Sequence, residues 1–300
     1  MKPTKRAYDH ARDPEAVERF LTRTETADGD HRNWLQPRWE YMHAHPHSRQ
    51  LHPEFERFGV WEDAGDVVGL VHIEDRLGVV YVQLDPRYPL LKRPMLEHAI
   101  QHLGGELRAG HGVYVFLDER DQEFARIAQS LGFEARPEHA EPTSCLKIPE
   151  PFPEVSVAEG FRIQSLAEEF SVEKVHRCMH RGFNHEGEPP EDELEERRIK
   201  LGSANFRRDL TMVAVSPNGT FVSFCGIWPV PDSDICYIEP VATDPDFRRL
   251  GLGTAVVMEA VRRCSLEGAK TAVVGSDQNF YRSMGFDVCA THMAWWRPET

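Results

Sequence analysis

Residues 241–254 read Val-Ala-Thr-Asp-Pro-Asp-Phe-Arg-Arg-Leu-Gly-Leu-Gly-Thr. The apolar run at 235–243 that leads into this segment predicts a β-strand, which ends before the turn at Asp244-Pro245. Beyond the turn, apolar side chains recur every four residues from Leu252 to Cys264, which predicts an amphipathic helix. The segment therefore joins a strand to a helix through a short loop, and two arginines and two glycines lie at the junction.

The start of this helix has the chemistry of an anion site. Backbone N–H groups in the first turn of a helix have no partner within the helix, and they lie at the positive end of its dipole. Gly251 and Gly253 lack the β-carbons that would keep a phosphate away from these groups. Arg248 and Arg249 add guanidinium donors that suit the same anion. The segment therefore predicts a phosphate-binding loop.

Three other interpretations of the loop compete with this one. A dinucleotide-binding fingerprint requires a third glycine where this chain has Val256. A Walker phosphate loop requires a lysine between its glycine and threonine, and Gly253-Thr254 has none. The third interpretation, a glycine-rich start of an ordinary packed helix, stays open from this segment alone.

The two halves of the chain carry the same order of signals. Each half has two predicted strands that lead to an Asp-Pro turn, at 67–73 and 79–84 in the first half and at 221–228 and 235–243 in the second. Each half then continues with a helix, a strand, a short helix and a Gly-Phe pair, which begins at Gly132 or Gly285. This repeat of about 155 residues indicates a duplicated domain. We expect an α/β fold of the α+β type, with a mixed sheet, in two tandem domains.

The boundary between the halves is marked by prolines at alternate positions, Pro149, Pro151 and Pro153. Such spacing stiffens a chain and favours extended backbone, which is typical of a linker. Just beyond it, Ser165 and Glu168 have the spacing of a capping box and predict the start of a helix. The predicted organisation is a first domain at 1–148, a Pro-rich linker at 149–159 and a second domain at 160–300.

Composition argues against several classes of protein. The chain has 35 Lys and Arg against 49 Asp and Glu, a net charge of −14, which disfavours binding to a nucleic-acid backbone. No uncharged apolar run reaches the roughly 18 residues that a membrane-spanning helix needs, and no secretory signal is visible. The six cysteines are scattered without a Cys-x-x-Cys pair, which is typical of reduced thiols and not of a disulfide framework or a zinc site. We expect a soluble cytoplasmic protein that binds neither nucleic acid nor membranes.

A second motif completes the pattern. The Arg-x-x-Gly-x-Gly motif at 248–253 is followed by Asn279-Phe280-Tyr281-Arg282-Ser283-Met284-Gly285-Phe286. In this order the two motifs resemble the GNAT superfamily of N-acetyltransferases, and the full signature covers about residues 160–298. The resemblance implies a GNAT fold and an acetyl group that is donated by acetyl-CoA, as co-substrate, to a primary amine.

The resemblance also implies roles for particular residues. Tyr281 stands where the family commonly has a tyrosine that returns a proton to the departing thiolate, and the alternative is a core aromatic residue. Glu239, on the strand before the loop, is the candidate base for the amine, directly or through water, and the alternative is a structural carboxylate. The oxyanion of the intermediate would be met by a backbone N–H near Val241. The implied coenzyme-binding residues are Val241, Ala242, Thr243, Arg248, Arg249, Leu250, Gly251, Leu252, Gly253, Thr254 and Asn279.

The first half keeps the outline of the repeat but not these residues. Alignment of the Asp-Pro turns places Lys92 at the position of Gly251 and Pro94 at the position of Gly253. A proline has no N–H to donate, and a lysine side chain would fill the cradle. We therefore expect a degenerate copy in the first half and an intact copy in the second.

Other functions stay open from the sequence. One alternative is a non-catalytic acetyl-CoA sensor or scaffold, and another is transfer of a longer acyl group. The acceptor is open among polyamines, antibiotics, amino acids and protein amines, and so is the oligomeric state, because acceptor loops vary on a constant scaffold. Seven acidic side chains at 186–196 predict a solvated face, with attraction of a cationic amine as the alternative. His43, His45, His47 and His52 alternate in a polar loop, and we expect no metal there.

Overall fold

The computed structural model describes residues 3–25, 30–44 and 52–299. These residues form two compact units. The first unit holds the described residues of 1–43, 47–143 and 289–300, and the second unit holds those of 44–46 and 144–288. The division by compactness differs from the sequence-based domains at 1–148 and 160–300. The difference arises because residues 144–147 join the sheet of the second unit, whereas the C-terminal residues join the sheet of the first.

The first unit is built from short strands and four α-helices among its described residues. Its strands are β1 (Thr4–Ala7), β2 (Gly59–Asp63), β3 (Asp66–Ile73), β4 (Val79–Leu84), β5 (Gly105–Leu107), β6 (Gly110–Asp118) and β7 (Glu134–Ala135). Its helices are α1 (Asp13–Thr24), α2 (Gln36–Ala44), α3 (Lys92–His102) and α4 (Gln122–Ser130). The strands expected at 67–73 and 79–84 are confirmed.

The sheet of the first unit is mixed. Its strand order is β1-β2-β3-β4-β6, and β5 pairs with β6. β4 and β6 run parallel, whereas the other neighbours run antiparallel. Fully buried apolar side chains such as Phe20, Leu70, Met95 and Val115 form one core between this sheet and its helices.

The second unit repeats this plan. Its strands are β8 (Glu141–Lys147, of which 144–147 lie in this unit), β9 (Arg162–Ser165), β10 (Met212–Val215), β11 (Phe221–Pro229), β12 (Ile235–Thr243) and β13 (Thr271–Val274). Its helices are α5 (Val172–Gly182), α6 (Leu194–Lys200), α7 (Leu252–Leu266) and α8 (Asn279–Arg282). The predicted strands at 221–228 and 235–243 and the helix that begins at Leu252 are confirmed.

The sheet of the second unit has the order β9-β10-β11-β12-β13-β8, with β12 and β13 parallel. Successive side chains of a strand point to opposite faces. Met212 of β10 accordingly packs in the core on the α7 side with Val256, whereas its neighbour Val213 packs on the α5 side with Val175. The sheet is therefore covered on both faces, and the predicted mixed α/β fold is confirmed.

The last strand, β14 (Asp287–Pro298), closes the sheet of the first unit. Its residues 292–298 pair antiparallel with β6. In the second unit the equivalent place beside β13 is taken by residues 144–147 of β8, also antiparallel. Each sheet therefore receives its final strand from the other half of the sequence, an exchange that the linear repeat does not reveal.

The capping box near the start of the second half does not open a helix. The N–H of Ser165 donates to Glu168 Oε1 at 2.9 Å, as a capping box does, but the chain turns at this point. The helix begins instead at Val172, where Ser171 Oγ accepts the N–H of Lys174 at 3.2 Å. The prediction of a helix start at Ser165 is therefore wrong, because a local hydrogen bond alone does not supply an apolar face to bury.

Two other expectations concern the cysteines and the membrane. Cys178, Cys225, Cys236 and Cys264 are buried free thiols, as expected. Cys145 and Cys289 are disulfide-bonded, so the expectation of reduced thiols is wrong for these two. Sequence spacing does not show which cysteines meet in space. Within the described residues, no helix combines the length and the apolar character needed to cross a membrane.

Candidate functional site

A cleft opens in the second unit where two parallel strands part. β12 pairs with β13 over Ile235–Tyr237, and beyond this point it continues to Thr243 beside β11. The cleft beyond the parting has a volume of about 550 Å³. Its lining residues are Gly182, Val241, Ala242, Thr243, Phe247, Arg248, Arg249, Gly251, Leu252, Gly253, Thr254, Gln278, Phe280 and Tyr281.

The N-terminus of α7 forms one wall of this cleft. Gly251 adopts a left-handed backbone with φ of +77°, which a glycine adopts without strain. The residues of the first turn, Leu252, Gly253 and Thr254, line the cleft, and the helix has no acceptor for N–H groups at this end. A β-carbon on Gly253 would lie 3.1 Å from Thr243 Oγ1 and 3.2 Å from the ring of Phe280. The absence of that carbon lets the helix start approach the end of β12.

The two arginines of the loop have different surroundings. Arg248 donates from Nε to the Thr243 carbonyl at 3.0 Å and from Nη2 to the Gly182 carbonyl at 2.8 Å. Arg248 therefore fastens the loop to β12 and α5, and its Nη1 takes part in neither contact. Arg249 is exposed, has a left-handed backbone with φ of +64°, and has no hydrogen-bond or ion-pair partner among the described residues. Its guanidinium is therefore available to an anion in the cleft.

A buried carboxylate anchors the turn between β12 and α7. Asp244 is 1% exposed, and Arg181 of α5 donates from Nε to its Oδ2 at 2.6 Å. Arg177 lies 3.6 Å from the same oxygen. Burial acts to raise the pKa of Asp244, but the hydrogen bond from Arg181 and the charges of both arginines outweigh it, and the pKa lies below its usual value. The ion pairs hold the end of α5 against the loop.

Glu239 lies on β12 where its pairing with β11 is irregular. The register shifts between Cys225 and Ile227, and a β-carbon on Gly226 would lie 2.3 Å from the Glu239 carbonyl oxygen. That carbonyl accepts a 2.7 Å hydrogen bond from the Trp228 indole. Irregular pairing of this kind re-aims side chains. The half-buried Glu239 carboxylate is held through Oε2, which accepts a 2.8 Å hydrogen bond from the Tyr237 hydroxyl.

Tyr281 is another residue that lines the cleft. It lies in the short helix α8, its ring is 8% exposed, and it packs edge-on against Phe280 and Phe286. Burial raises the pKa of the Tyr281 phenol, and the nearby Cys225 and Glu239 raise it further. The phenol therefore stays protonated at neutral pH and is able to donate a proton. A carboxylate, Glu239, and a protonated phenol, Tyr281, thus lie near each other.

Lys200 is a member of this cluster that the sequence analysis missed. It is the last residue of α6, is 3% exposed, and interacts electrostatically with Glu239. Burial lowers the pKa of Lys200 well below its usual value, although the charge of Glu239 opposes this shift. No local motif marks the residue, because its partner lies on a strand that is distant in sequence.

Most of the implied coenzyme-binding residues line the cleft, and two do not. Leu250 is 46% exposed and Asn279 is also exposed, and neither belongs to the lining. Gly182, Phe247, Gln278 and Phe280 line the cleft without having been assigned. Gly182 is the clearest omission, since a β-carbon there would lie 2.7 Å from Cβ of Ala242. The sequence feature that marks Gly182 is its position as a glycine at the end of an amphipathic helix.

The corresponding place in the first unit is filled by the protein itself. Lys92, the first residue of α3, is 8% exposed and donates from Nζ to Asp121 and to Glu123, each at 2.8 Å. The remaining space has a volume of about 100 Å³ and is lined in part by Val82, Lys92 and Phe124. The side chain at the position of Gly251 therefore occupies the space that is open in the second unit.

Two polar stretches singled out in the sequence contribute less. Of the alternating histidines, His45 and His47 lie outside the described residues, as does the side chain of His52. The acidic stretch at 186–196 is largely exposed, as expected for a solvated face. Some of its carboxylates are used in ion pairs, such as Glu188 with Arg177 at 3.5 Å and Glu195 with Arg198 at 2.5 Å.

Comparison with known proteins agrees with this geometry. Residues 170–286 match the acetyltransferase (GNAT) family. A GCN5-related N-acetyltransferase from Sphaerobacter thermophilus has a similar structure, with a TM-score of 0.58 and 17% identity over 98% of this chain and 95% of that chain. A tandem GNAT protein from the clavulanic acid biosynthesis pathway has a TM-score of 0.60 and 11% identity over 100% of both chains. At these identities the likeness concerns the fold, which is that of two tandem GNAT-like domains. No curated protein matches the sequence.

Proposed function

We propose that the chain is an acetyl-CoA-dependent N-acetyltransferase that acetylates a primary amine, and the match of residues 170–286 to the acetyltransferase (GNAT) family supports this proposal. The GNAT fold supports acetyl-CoA-dependent acetyltransferase activity in general. The observation that carries the finer proposal is that Tyr281, a candidate proton donor that lines the cleft, lies near Glu239, a candidate proton acceptor.

The donor end of the cleft suits a pyrophosphate. The first-turn residues of α7 and Arg249 line the same cleft, and Gly251 and Gly253 add no side chain to it. The remaining lining, at Val241, Ala242 and Thr243, presents the edge of β12 to an extended pantetheine arm. Acetyl-CoA is therefore the proposed co-substrate, with its thioester toward Glu239 and Tyr281.

The reaction is direct attack of the amine on the thioester carbonyl. Alkyl amines have a pKa of about 10 and arrive as ammonium ions, so Glu239 accepts a proton to free the lone pair. The lone pair then forms the new C–N bond, and the backbone N–H of Val241 stabilises the oxyanion of the tetrahedral intermediate. As the C–S bond breaks, Tyr281 donates its proton to the departing thiolate, and the resulting phenolate takes the second proton from the nitrogen, which leaves a neutral amide.

The first unit is proposed to be a degenerate copy that binds no acetyl-CoA. Lys92 and its two carboxylate partners fill the space that a pyrophosphate would need. Expelling the lysine would leave Asp121 without its cation, which opposes ligand entry. We therefore expect one donor site per chain.

The experiment is a calorimetric titration of the protein with acetyl-CoA, compared with Gly253→Pro. The proline removes one first-turn N–H and adds a ring where a β-carbon alone would already lie 3.1 Å from Thr243. Gly104→Ala, in the first unit, is the control, because the backbone there is not left-handed and the nearest atom to an added β-carbon would lie 3.5 Å away. One site per chain that is lost in Gly253→Pro and kept in Gly104→Ala supports the proposal, and a folded protein that binds no acetyl-CoA contradicts it.

Measurement of turnover distinguishes the proposed enzyme from the alternative, a non-catalytic acetyl-CoA sensor. A sensor would bind acetyl-CoA without releasing CoA in the presence of any amine. The pairing of a candidate base with a candidate acid favours the enzyme, because binding alone needs neither group.

A further inference from the structure

The face of α6 turned toward the reaction centre carries two cationic side chains. Arg197 and Lys200 are three residues apart on this helix and therefore share a face. Lys200 faces Glu239, which places this face beside the candidate base. The neighbouring Arg198 lies on the outer side, where it is exposed and pairs with Glu195 and Glu173.

The guanidinium of Arg197 has no acceptor among the residues that the structure describes. It makes no hydrogen bond and no ion pair with any residue in the described part of the chain, and its Nε is fully enclosed. Burial lowers the pKa of Arg197 to about 10, whereas the charges of Glu193 and Glu196 act in the opposite direction. The side chain is therefore still a cation at neutral pH, with five N–H donors in a rigid fork.

A second polar group beside Arg197 is also incompletely used. His176 of α5 is 3% exposed, and its Nε2 contacts the Pro190 carbonyl at 3.2 Å. Its Nδ1 is buried without a hydrogen-bond partner among the described residues. The charge of Arg197 is one of the influences that lower the pKa of His176, after burial. In the neutral ring Nε2 donates to the carbonyl, so Nδ1 is an acceptor and does not itself attract an anion. Buried donors are normally satisfied, so the unused guanidinium donors of Arg197 point to an anionic group that is supplied from outside the chain.

On the basis of the proposed function, we propose that Arg197 binds a carboxylate of the acceptor, and that the acceptors are amino acids. The amine of such an amino acid lies beside Glu239, and its carboxylate binds the guanidinium of Arg197. One helical turn separates Arg197 from Lys200, which suits a carboxylate a few bonds from the amine. The attraction of a cationic amine by the acidic stretch is not needed, since those carboxylates are largely solvated or paired.

The test compares matched acceptors that differ only in the carboxylate. Glycine is paired with methylamine, β-alanine with ethylamine, and 4-aminobutyrate with propylamine. Release of CoA is followed with a thiol reagent at saturating acetyl-CoA. Since losing the partner of a desolvated charge typically costs at least about 2 kcal/mol, we expect the carboxylated member of the best pair to have a kcat/KM about 30-fold higher or more.

Two variants locate the effect. Arg197→Met is expected to remove the preference for the carboxylated member, and Arg198→Met, one residue away, is expected to keep it. Both variants should bind acetyl-CoA as the unmodified protein does. A tenfold or greater loss of acetyl-CoA affinity in Arg197→Met would assign the arginine to a coenzyme phosphate and overturn the proposal.

The outcomes separate this inference from the function on which it rests. If acetyl-CoA binds but the uncarboxylated amines react equally well, or if no pair reacts, the inference fails while the donor site stands. If acetyl-CoA does not bind at all, the proposed function fails and the inference falls with it. If circular dichroism shows that Arg197→Met does not fold, the proposal is tested by the matched acceptors with the unmodified protein. Equal reaction of the two members of each pair would then overturn it.

Discussion

The Tyr237 hydroxyl donates a 2.8 Å hydrogen bond to Oε2 of Glu239, two residues along the same strand. Side chains two apart on a strand lie on the same face, so β12 itself supplies both partners. The hydrogen bond holds one carboxylate oxygen of Glu239 in place. The orientation of the candidate base therefore depends on a neighbour as well as on its own rotamer.

This relationship predicts graded effects at the two positions. Glu239→Gln is expected to lower kcat by about 100-fold, because an amide does not accept the proton from the ammonium ion. Tyr237→Phe should lower kcat less, because the base is kept and only its orientation is loosened. Steady-state kinetics with an accepted amine give the comparison, and calorimetry should show unchanged acetyl-CoA affinity in both. Equal activity of Glu239→Gln and the unmodified protein would remove Glu239 from the mechanism.

Tyr281→Phe is expected to lower kcat by about tenfold to 100-fold while it leaves acetyl-CoA affinity nearly intact. The reason is that the variant keeps the ring in its packed position but has no proton for the thiolate. Burial raises the pKa of Tyr281, so the phenol is protonated throughout the neutral range and the loss should not depend on pH there. Tyr114→Phe, in the first unit, is the control. A variant with full turnover would contradict the assignment.

Lys92→Met in the first unit is expected to destabilise the protein without creating a second donor site. The variant leaves Asp121 and Glu123 without the ammonium group that each contacts at 2.8 Å, and we expect a loss of about 2 kcal/mol in the free energy of unfolding. Urea unfolding measures the loss, and acetyl-CoA titration should still give one site per chain. Two sites in this variant would show that a single side chain accounts for the degenerate copy.

Asp244→Asn is expected to loosen the turn that precedes α7. The variant removes the negative charge from a buried pair with Arg181, and we expect a loss of about 2 kcal/mol in the free energy of unfolding at neutral pH. Since the pKa of Asp244 is lowered by folding, its contribution is present above the ordinary carboxyl pKa of about 4 and is lost as the pH falls through the folded pKa. The difference between the two proteins should therefore shrink in acid.

Asp246→Asn is the matched control for this pair. Asp246 contacts the other end of the same guanidinium at 2.7 Å, but its side chain is 74% exposed. A solvent-exposed ion pair typically contributes less than about 1 kcal/mol. Equal losses in the two variants would mean that burial does not distinguish the carboxylates.

The sequence is sufficient for features that are local along the chain. The strand, loop and helix at 235–266 depend on periodicity and on glycines within one segment, and most of the cleft lining follows from them. Asn279 was assigned by motif position alone, and it is exposed outside the lining. Ser165 forms the hydrogen bond of a capping box without a helix. In both cases the local signal does not include the packing that decides the structure.

Contacts between distant segments could not be predicted. The packing of α6 places Lys200 beside Glu239 and leaves Arg197 without an acceptor among the described residues. An isolated lysine or arginine in a charged stretch has no periodicity that marks it as buried. The state of Cys145 and Cys289 is of the same kind, because pairing of cysteines is a property of three-dimensional distance.

The exchange of final strands has a consequence for biosynthesis. A ribosome releases the chain from its N-terminus, yet the sheet of the first unit receives β14 from residues 292–298. During translation, one edge of β6 therefore stays unpaired until the residues of the second unit have been synthesised. An unpaired strand edge can pair with other chains and cause aggregation. The unit made first is thus completed last, and a stop codon placed before residue 289 damages the half of the protein that lies farthest from it in the gene.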